Sequence, residues 1–427
     1  MRESSMYKKT KLNNGLRIIT KRFHGVESFS LGIWINIGGR FEETAERGIS
    51  HFLEHLLFKG SKKHSCRAIK ESIEGVGGAL NGFTSEELTC YLVKIPSRYF
   101  SCALDILSDM VLNPSLKPAD VEKEKTVILE ELKMYKDLPQ SYCLELLDEL
   151  LWPDQPLGSP VIGTVESVKN INRDILRSFQ QAHYTAANIV ISAAGLVDHD
   201  LLAKKASAIF SGKSCGSKNT FTPARESQAK QQLKIFHKGT EQTHMALGFH
   251  GLKRGHPLRH AQAILHIILG ANMSSRLFNE VREKRGLAYE IGTGLKRYSD
   301  TGAFLVHAGI DNRKVGPCLE LIFQELGKIK YKPVTKDEFK RAKEFYLGQL
   351  MLALEDTMEY MHWIGESMAC MDKVYTLEEI IKEVNKASIE DVRQVAQQVF
   401  KREKINLALI GPLGKEQKKI YARLNLK

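Results

Sequence analysis

The sequence predicts an α/β fold (α+β in detail) of two homologous domains, each a mixed β-sheet flanked by helices. Three observations carry this. Strand-like and helix-like segments alternate through the first half, residues 211–230 lack apolar periodicity, and the second half weakly repeats the first. A chain of 427 residues is also long for one hydrophobic core, and about 200 residues per core is the ordinary division.

The segments run as follows. SFSLGIWINIG (28–38) is rich in β-branched and aromatic residues and predicts a strand. GISHFLEHLLFKG (48–60) carries apolar residues at helical spacing and stops at Gly60. RAIKESIEGVGG is a short helix broken by glycines, and ALNGFTSEELTCYLVKIP returns to strand character until Pro96. CALDILSDMVLN and ADVEKEKTVILEELKMYKD are amphipathic helices, and IVISAAG near residue 190 is a short buried strand. The Ser- and Lys-rich stretch that follows predicts a linker at 213–230, between a first domain of residues 1–212 and a second of 231–427. The repeat rests on Cys102-Ala-Leu-Asp-Ile-Leu and Cys318-Leu-Glu-Leu-Ile-Phe, each followed by a Lys-Pro segment and a charged helix. Its long period means duplicated domains rather than a solenoid, whose units are far shorter.

Composition narrows the function classes. Hydrophobic residues at 43% and charged residues at 26% describe an ordinary globular chain. No apolar run is long enough for a transmembrane helix. The N-terminal segment shows neither a secretory nor an organellar leader pattern, so a cytoplasmic location without membrane attachment is the expectation. The formal net charge of +12 is spread among acidic neighbours rather than gathered into a basic, aromatic-bearing stretch, which argues against nucleic acid as partner. The seven cysteines are scattered and never form CxxC, so a cysteine zinc site is not supported. Gly75-Val-Gly77-Gly78 follows a helix and precedes a strand, the wrong order for a pyrophosphate loop.

The chemistry concentrates in His51-Phe-Leu-Glu54-His55. Histidines four apart on a helix share a face and can present two nitrogens to one zinc ion. Glu54 lies on the same side, where a carboxylate can take a proton from an attacking water. The order HxxEH reverses the commoner HExxH and marks the inverted class of zinc hydrolases. A catalytic zinc wants a third protein ligand. The helix ADVEKEKTVILEELKMY offers Glu124 and Glu131, two turns apart on one face, while Glu130 points about 100° away. One of the pair can ligate and the other can support a histidine ring; spacing alone does not choose between this and a solvated acidic stripe.

HFLEHLLFKG, LNGFTSEELTCY and VEKEKTVILEELKMY together resemble the pitrilysin/insulinase family of metallopeptidases, in particular its short-chain, processing-peptidase-like branch. The resemblance implies one Zn2+ held by His51, His55 and Glu131, with Glu54 as catalytic base and Glu124 behind the ligands. It implies that Asn81, Gly82, Phe83 and Thr84 lie on a substrate-binding edge strand, where peptides dock by strand addition. In the second half, SRLFNEVREKRGLAY is similar to the family's Arg/Tyr pair, so Arg282 is expected to bind substrate and Tyr289 to stabilise the oxyanion. The implied activity is endopeptidase cleavage of peptides or unfolded polypeptides. A non-catalytic partner subunit is the alternative. The implied assembly is a homodimer, or a heterodimer with a degenerate paralogue. No glycine-rich loop stands out, and the basic charge suits Arg-rich presequences poorly.

Overall fold

The computed structural model describes residues 7–413 and 417–424. Strands β1 (Lys8–Lys11), β2 (Arg17–Arg22), β3 (Ser28–Ile35), β4 (Ala79–Thr84), β5 (Thr89–Pro96) and β6 (Ile189–Gly195) form one sheet in the order β1-β2-β6-β3-β5-β4. Strands β7 (Gln232–His237), β8 (Gln242–His250), β9 (Ala288–Arg297), β10 (Gly302–Asp311) and β11 (Asn406–Gly411) form the other in the order β7-β11-β8-β10-β9. Setting β1 aside, the second order is the first with each strand advanced by five. In both sheets one parallel pair, β2 with β6 and β7 with β11, sits among antiparallel neighbours. The mixed sheets and the internal duplication expected from the sequence are therefore present.

Burial explains which strand lies where. β3 and β6 are buried almost throughout, as central strands covered on both faces must be. β4 has no buried residue and lies at the end of its sheet, with β5 as its only strand neighbour among the described residues. In the second sheet β8 shows the period of two: Met245, Leu247 and Phe249 enter one core cluster while Ala246 enters another on the opposite face.

The compact units are interleaved, unlike the consecutive division at 212 and 231. The first comprises residues up to Lys133, Ser159–Thr222 and Met351–Thr376; the second comprises Met134–Gly158, Pro223–Leu350 and Leu377 onward. The cause is packing. Helix Thr357–Met371 lies on β2, β3 and β6, so close that a Cβ on Gly365 would stand 2.2 Å from the Trp34 indole nitrogen. Helix Pro139–Leu151 places Leu146 and Leu147 against β8 and β11. A fragment ending at residue 212 would lack helix Thr357–Met371 and leave one face of its sheet bare.

Residues 214–230 hold no regular element, as a linker should, yet the segment is pinned. Asn219 donates its side-chain amide to the Asn36 carbonyl at 2.8 Å and its backbone N–H to Asn188 Oδ1 at 2.8 Å. Phe221 packs edge-on to Phe41 under the Arg40 guanidinium, which lies 3.7 Å from the ring centre.

Candidate metal centre

Helix Ile49–Leu57 buries Ile49, Phe52, Leu53, Leu56 and Leu57, which leaves His51, Glu54 and His55 on its half-exposed side. The helix starts at Gly48, whose φ of +91° and close approach to the Ile162 carbonyl both require glycine. No residue caps the helix from its own N-cap position. Buried Glu42 does so from a distance, accepting the N–H of Gly48 at 2.7 Å and of Ser50 at 2.8 Å. Burial pushes the Glu42 carboxyl up to about 7 despite those bonds.

The second wall is helix Pro118–Asp137. His51 Nε2 lies 3.9 Å and His55 Nε2 3.6 Å from Glu131 Oε2. One ligand atom from each of the three residues falls within 4.8 Å of the others, the one such group among the described residues. Glu130 behaves as its register requires: it is exposed and pairs with Lys133 at 2.6 Å. Glu124 is buried, and its Oε2 meets His55 Nδ1 at 3.3 Å while Oε1 meets Lys59 Nζ at 2.6 Å. A carboxylate on Nδ1 favours the tautomer that carries its proton there, which leaves the Nε2 lone pair facing Glu131. Lys59 supplies the positive charge that a buried carboxylate needs.

The donor set fits a zinc ion. Burial, with His55 adjacent, lowers the His51 pKa to about 4, so that ring is unprotonated at neutral pH and available as a ligand. The Nε2 atoms of His51 and His55 then converge on one carboxylate, a donor set that a divalent cation can bridge. Two nitrogens and one oxygen match the three protein ligands of a catalytic zinc, which keeps its fourth position open.

Glu54 stands beside this group without joining it. Burial raises its pKa, with Thr84 and His55 opposing and Glu131 reinforcing. Thr84 Oγ1 donates to Glu54 Oε2 at 2.7 Å. Strand alternation explains the contact: Gly82 and Thr84 face the histidine helix, and a Cβ on Gly82 would stand 3.0 Å from the Phe58 ring. Phe83 points to the other side, stacked on His362 and edge-on to Trp34. Asn81 is exposed, and its side chain accepts the Gly82 N–H at 2.8 Å. Of the four residues expected on the substrate strand, two thus have side chains held inside their own unit, while no strand among the described residues pairs with the outer edge of β4.

Arg282 and Tyr289 lie in the second unit. Phe278–Glu283 forms a π-helical turn, a feature often found at functional sites. It places the Arg282 guanidinium 4.7 Å from the Phe278 ring centre and 5.2 Å from that of Tyr289. Tyr289, the second residue of edge strand β9, is 74% exposed. In the same unit, a cavity of about 580 Å³ lined by Ile267, Ile268, Arg341 and Phe345 contains none of the metal-ligand candidates.

Sequence reasoning missed Lys59 and the hydrogen bond from Thr84 to Glu54. Lys59 stands four residues after His55, so the same helical spacing that paired the histidines pointed to it. Metal retention tests the assignments. Glu131→Gln should lose most of its zinc in a competing chelator, and Glu130→Gln should retain it like the wild type. Glu124→Gln should fall between them, about 10–100-fold weaker in affinity. Equal retention in the Glu130 and Glu131 variants would remove Glu131 from the ligand set.

Comparison with known proteins agrees with this arrangement. Residues 17–165 match the family model described as insulinase (peptidase family M16), and residues 170–346 match that of the peptidase M16 inactive domain. An uncharacterised zinc protease of Bacillus subtilis, YmxG, is 37% identical over 96% of this chain and 99% of its own length. A protein of the same description from Streptomyces coelicolor is 36% identical over 96% of this chain and 90% of its own. Among solved structures, a protease from Helicobacter pylori superposes with a TM-score of 0.89 at 21% identity, covering 95% of this chain and all of that one, and so shares the fold.

Proposed function

We propose, from the premise that this chain belongs to the insulinase family of peptidases (M16), that it is a zinc metalloendopeptidase acting on peptides or unfolded polypeptides. The observation that carries the reading is the convergence of His51, His55 and Glu131, with Glu54 beside them and outside the ligand set. Zinc held by those three side chains would supply Lewis-acid activation of the attacking water and of the scissile carbonyl.

The chain's own residues account for the rest. The free edge of β4 receives an extended peptide through backbone hydrogen bonds, which ask little of its sequence. Glu54 takes the proton of the attacking water and delivers it to the leaving amine as the C–N bond breaks. Glu124 and Lys59 fix the His55 ring so that Nε2 stays on the metal side. We assign Tyr289 to the developing oxyanion and Arg282 to a carbonyl or chain terminus of the substrate, roles that the family resemblance supports. Complete ligands and base argue against a non-catalytic subunit. The proposed assembly is a homodimer or a heterodimer with a degenerate relative, and the proposed location is cytoplasmic. No helix among the described residues is long and apolar enough to cross a membrane.

Cleavage of an internally quenched peptide by the purified full-length protein tests the reading. Activity should disappear with a zinc chelator and return with stoichiometric zinc. Cleavage that persists after complete metal removal would overturn it.

A further inference from the structure

The contact between Thr84 and Glu54 joins two parts of the site that the proposed mechanism treats separately. Thr84 closes edge strand β4, and its hydroxyl donates to Glu54 Oε2 at 2.7 Å. The backbone that carries this hydroxyl is held firmly. Thr84 pairs with Thr89 across the hairpin, and Ser85 N–H donates to the Leu88 carbonyl at 2.8 Å. The turn is held from outside as well: Gly39 N–H donates to the Ser85 carbonyl at 3.2 Å and Arg40 N–H to the Glu86 carbonyl at 2.8 Å. Arg40 also forms a buried ion pair with Glu87 at 2.7 Å. On the opposite face of the strand, Phe83 is locked against Trp34 and His362. A glutamate side chain has three rotatable bonds, so an unrestrained Glu54 would sample several positions around the metal group. One hydrogen bond from this anchored strand end selects a position, occupies Oε2 and leaves Oε1 for the water.

We propose that Thr84 is a positioning residue, holding the Glu54 carboxylate in its working orientation from the strand whose free edge receives the peptide. The proposal rests on the metallopeptidase reading above and replaces a direct substrate contact for the Thr84 side chain. It gives that side chain a role in turnover and none in affinity.

The test uses full-length, zinc-loaded protein and the quenched peptide. Thr84→Val keeps the branched shape and strand preference and removes only the donor; Thr84→Ser restores the donor. Thr84→Val should lower kcat by about 10–100-fold, the scale of a misplaced catalytic group, with KM and zinc content unchanged. Thr84→Ser should recover most of the loss. A second readout needs no turnover: in a Glu54→Gln background, peptide affinity measured by fluorescence anisotropy should be unchanged when Thr84→Val is added. Unchanged kcat in Thr84→Val overturns the proposal, and so does a loss that appears equally in KM and in that affinity, which would make Thr84 a docking residue. A wild-type protein inactive with zinc would instead overturn the metallopeptidase reading, and this proposal with it.

Discussion

Glu54→Gln should keep its zinc and lose peptide hydrolysis by at least about a hundredfold, the lower range for loss of a general base. Glutamine matches glutamate in size, and its side-chain oxygen can still accept the Thr84 hydroxyl bond. His51, His55 and Glu131 are untouched, so the donor set and its zinc affinity remain. What disappears is a basic oxygen beside the attacking water. The measurement is zinc per chain by elemental mass spectrometry alongside turnover of the same preparation. A zinc-replete variant that still hydrolyses peptide at the wild-type rate would remove Glu54 from the reaction.

Tyr289→Phe should be the second-largest effect, because it removes a single hydroxyl assigned to the oxyanion. Loss of one such donor lowers turnover by up to about 10²–10³-fold, in kcat rather than KM. The folded state should hardly notice, since the side chain is 74% exposed and its partner at the ring face is Arg282. Arg282→Ala should instead raise KM, as expected for a group that binds substrate in ground state and transition state alike. Thermal unfolding and zinc content measured beside the kinetics separate catalysis from folding. Unchanged kcat in Tyr289→Phe would exclude it from oxyanion stabilisation.

Much of this molecule was legible in the sequence because local rules settled it. Apolar spacing in GISHFLEHLL defined a helix with both histidines on one side, and the structure has Ile49–Leu57. The register of the second helix separated Glu131 from Glu130, and the structure exposes Glu130 beside Lys133. The repeat around Cys102 and Cys318 pointed to duplication, and the two sheets share one strand order.

What stayed hidden depends on contacts between distant segments. An amphipathic pattern in Thr357–Met371 shows that the helix buries a face but not which sheet covers it, so the interleaving of the units could not be read. The residues from Ala79 to Pro96 were read as one run of strand character, whereas they form a hairpin turning at Ser85–Leu88. Alternation along ALNGFT puts Gly82 and Thr84 on one face, yet only the fold reveals that this face meets Glu54. The π-helical turn at Phe278–Glu283 likewise has no periodic signature distinct from an ordinary helix end.

X-ray absorption at the zinc edge of the purified, metal-loaded protein tests the central claim most directly, because it reads the ligand atoms independently of any substrate. The predicted result is one zinc per chain, with two imidazoles and oxygen at about 2.0–2.2 Å, and an imidazole signal diminished in a His51→Ala variant. Sulfur scattering at about 2.3 Å, which would draw on the chain's seven cysteines, or no imidazole signal at all, would contradict it.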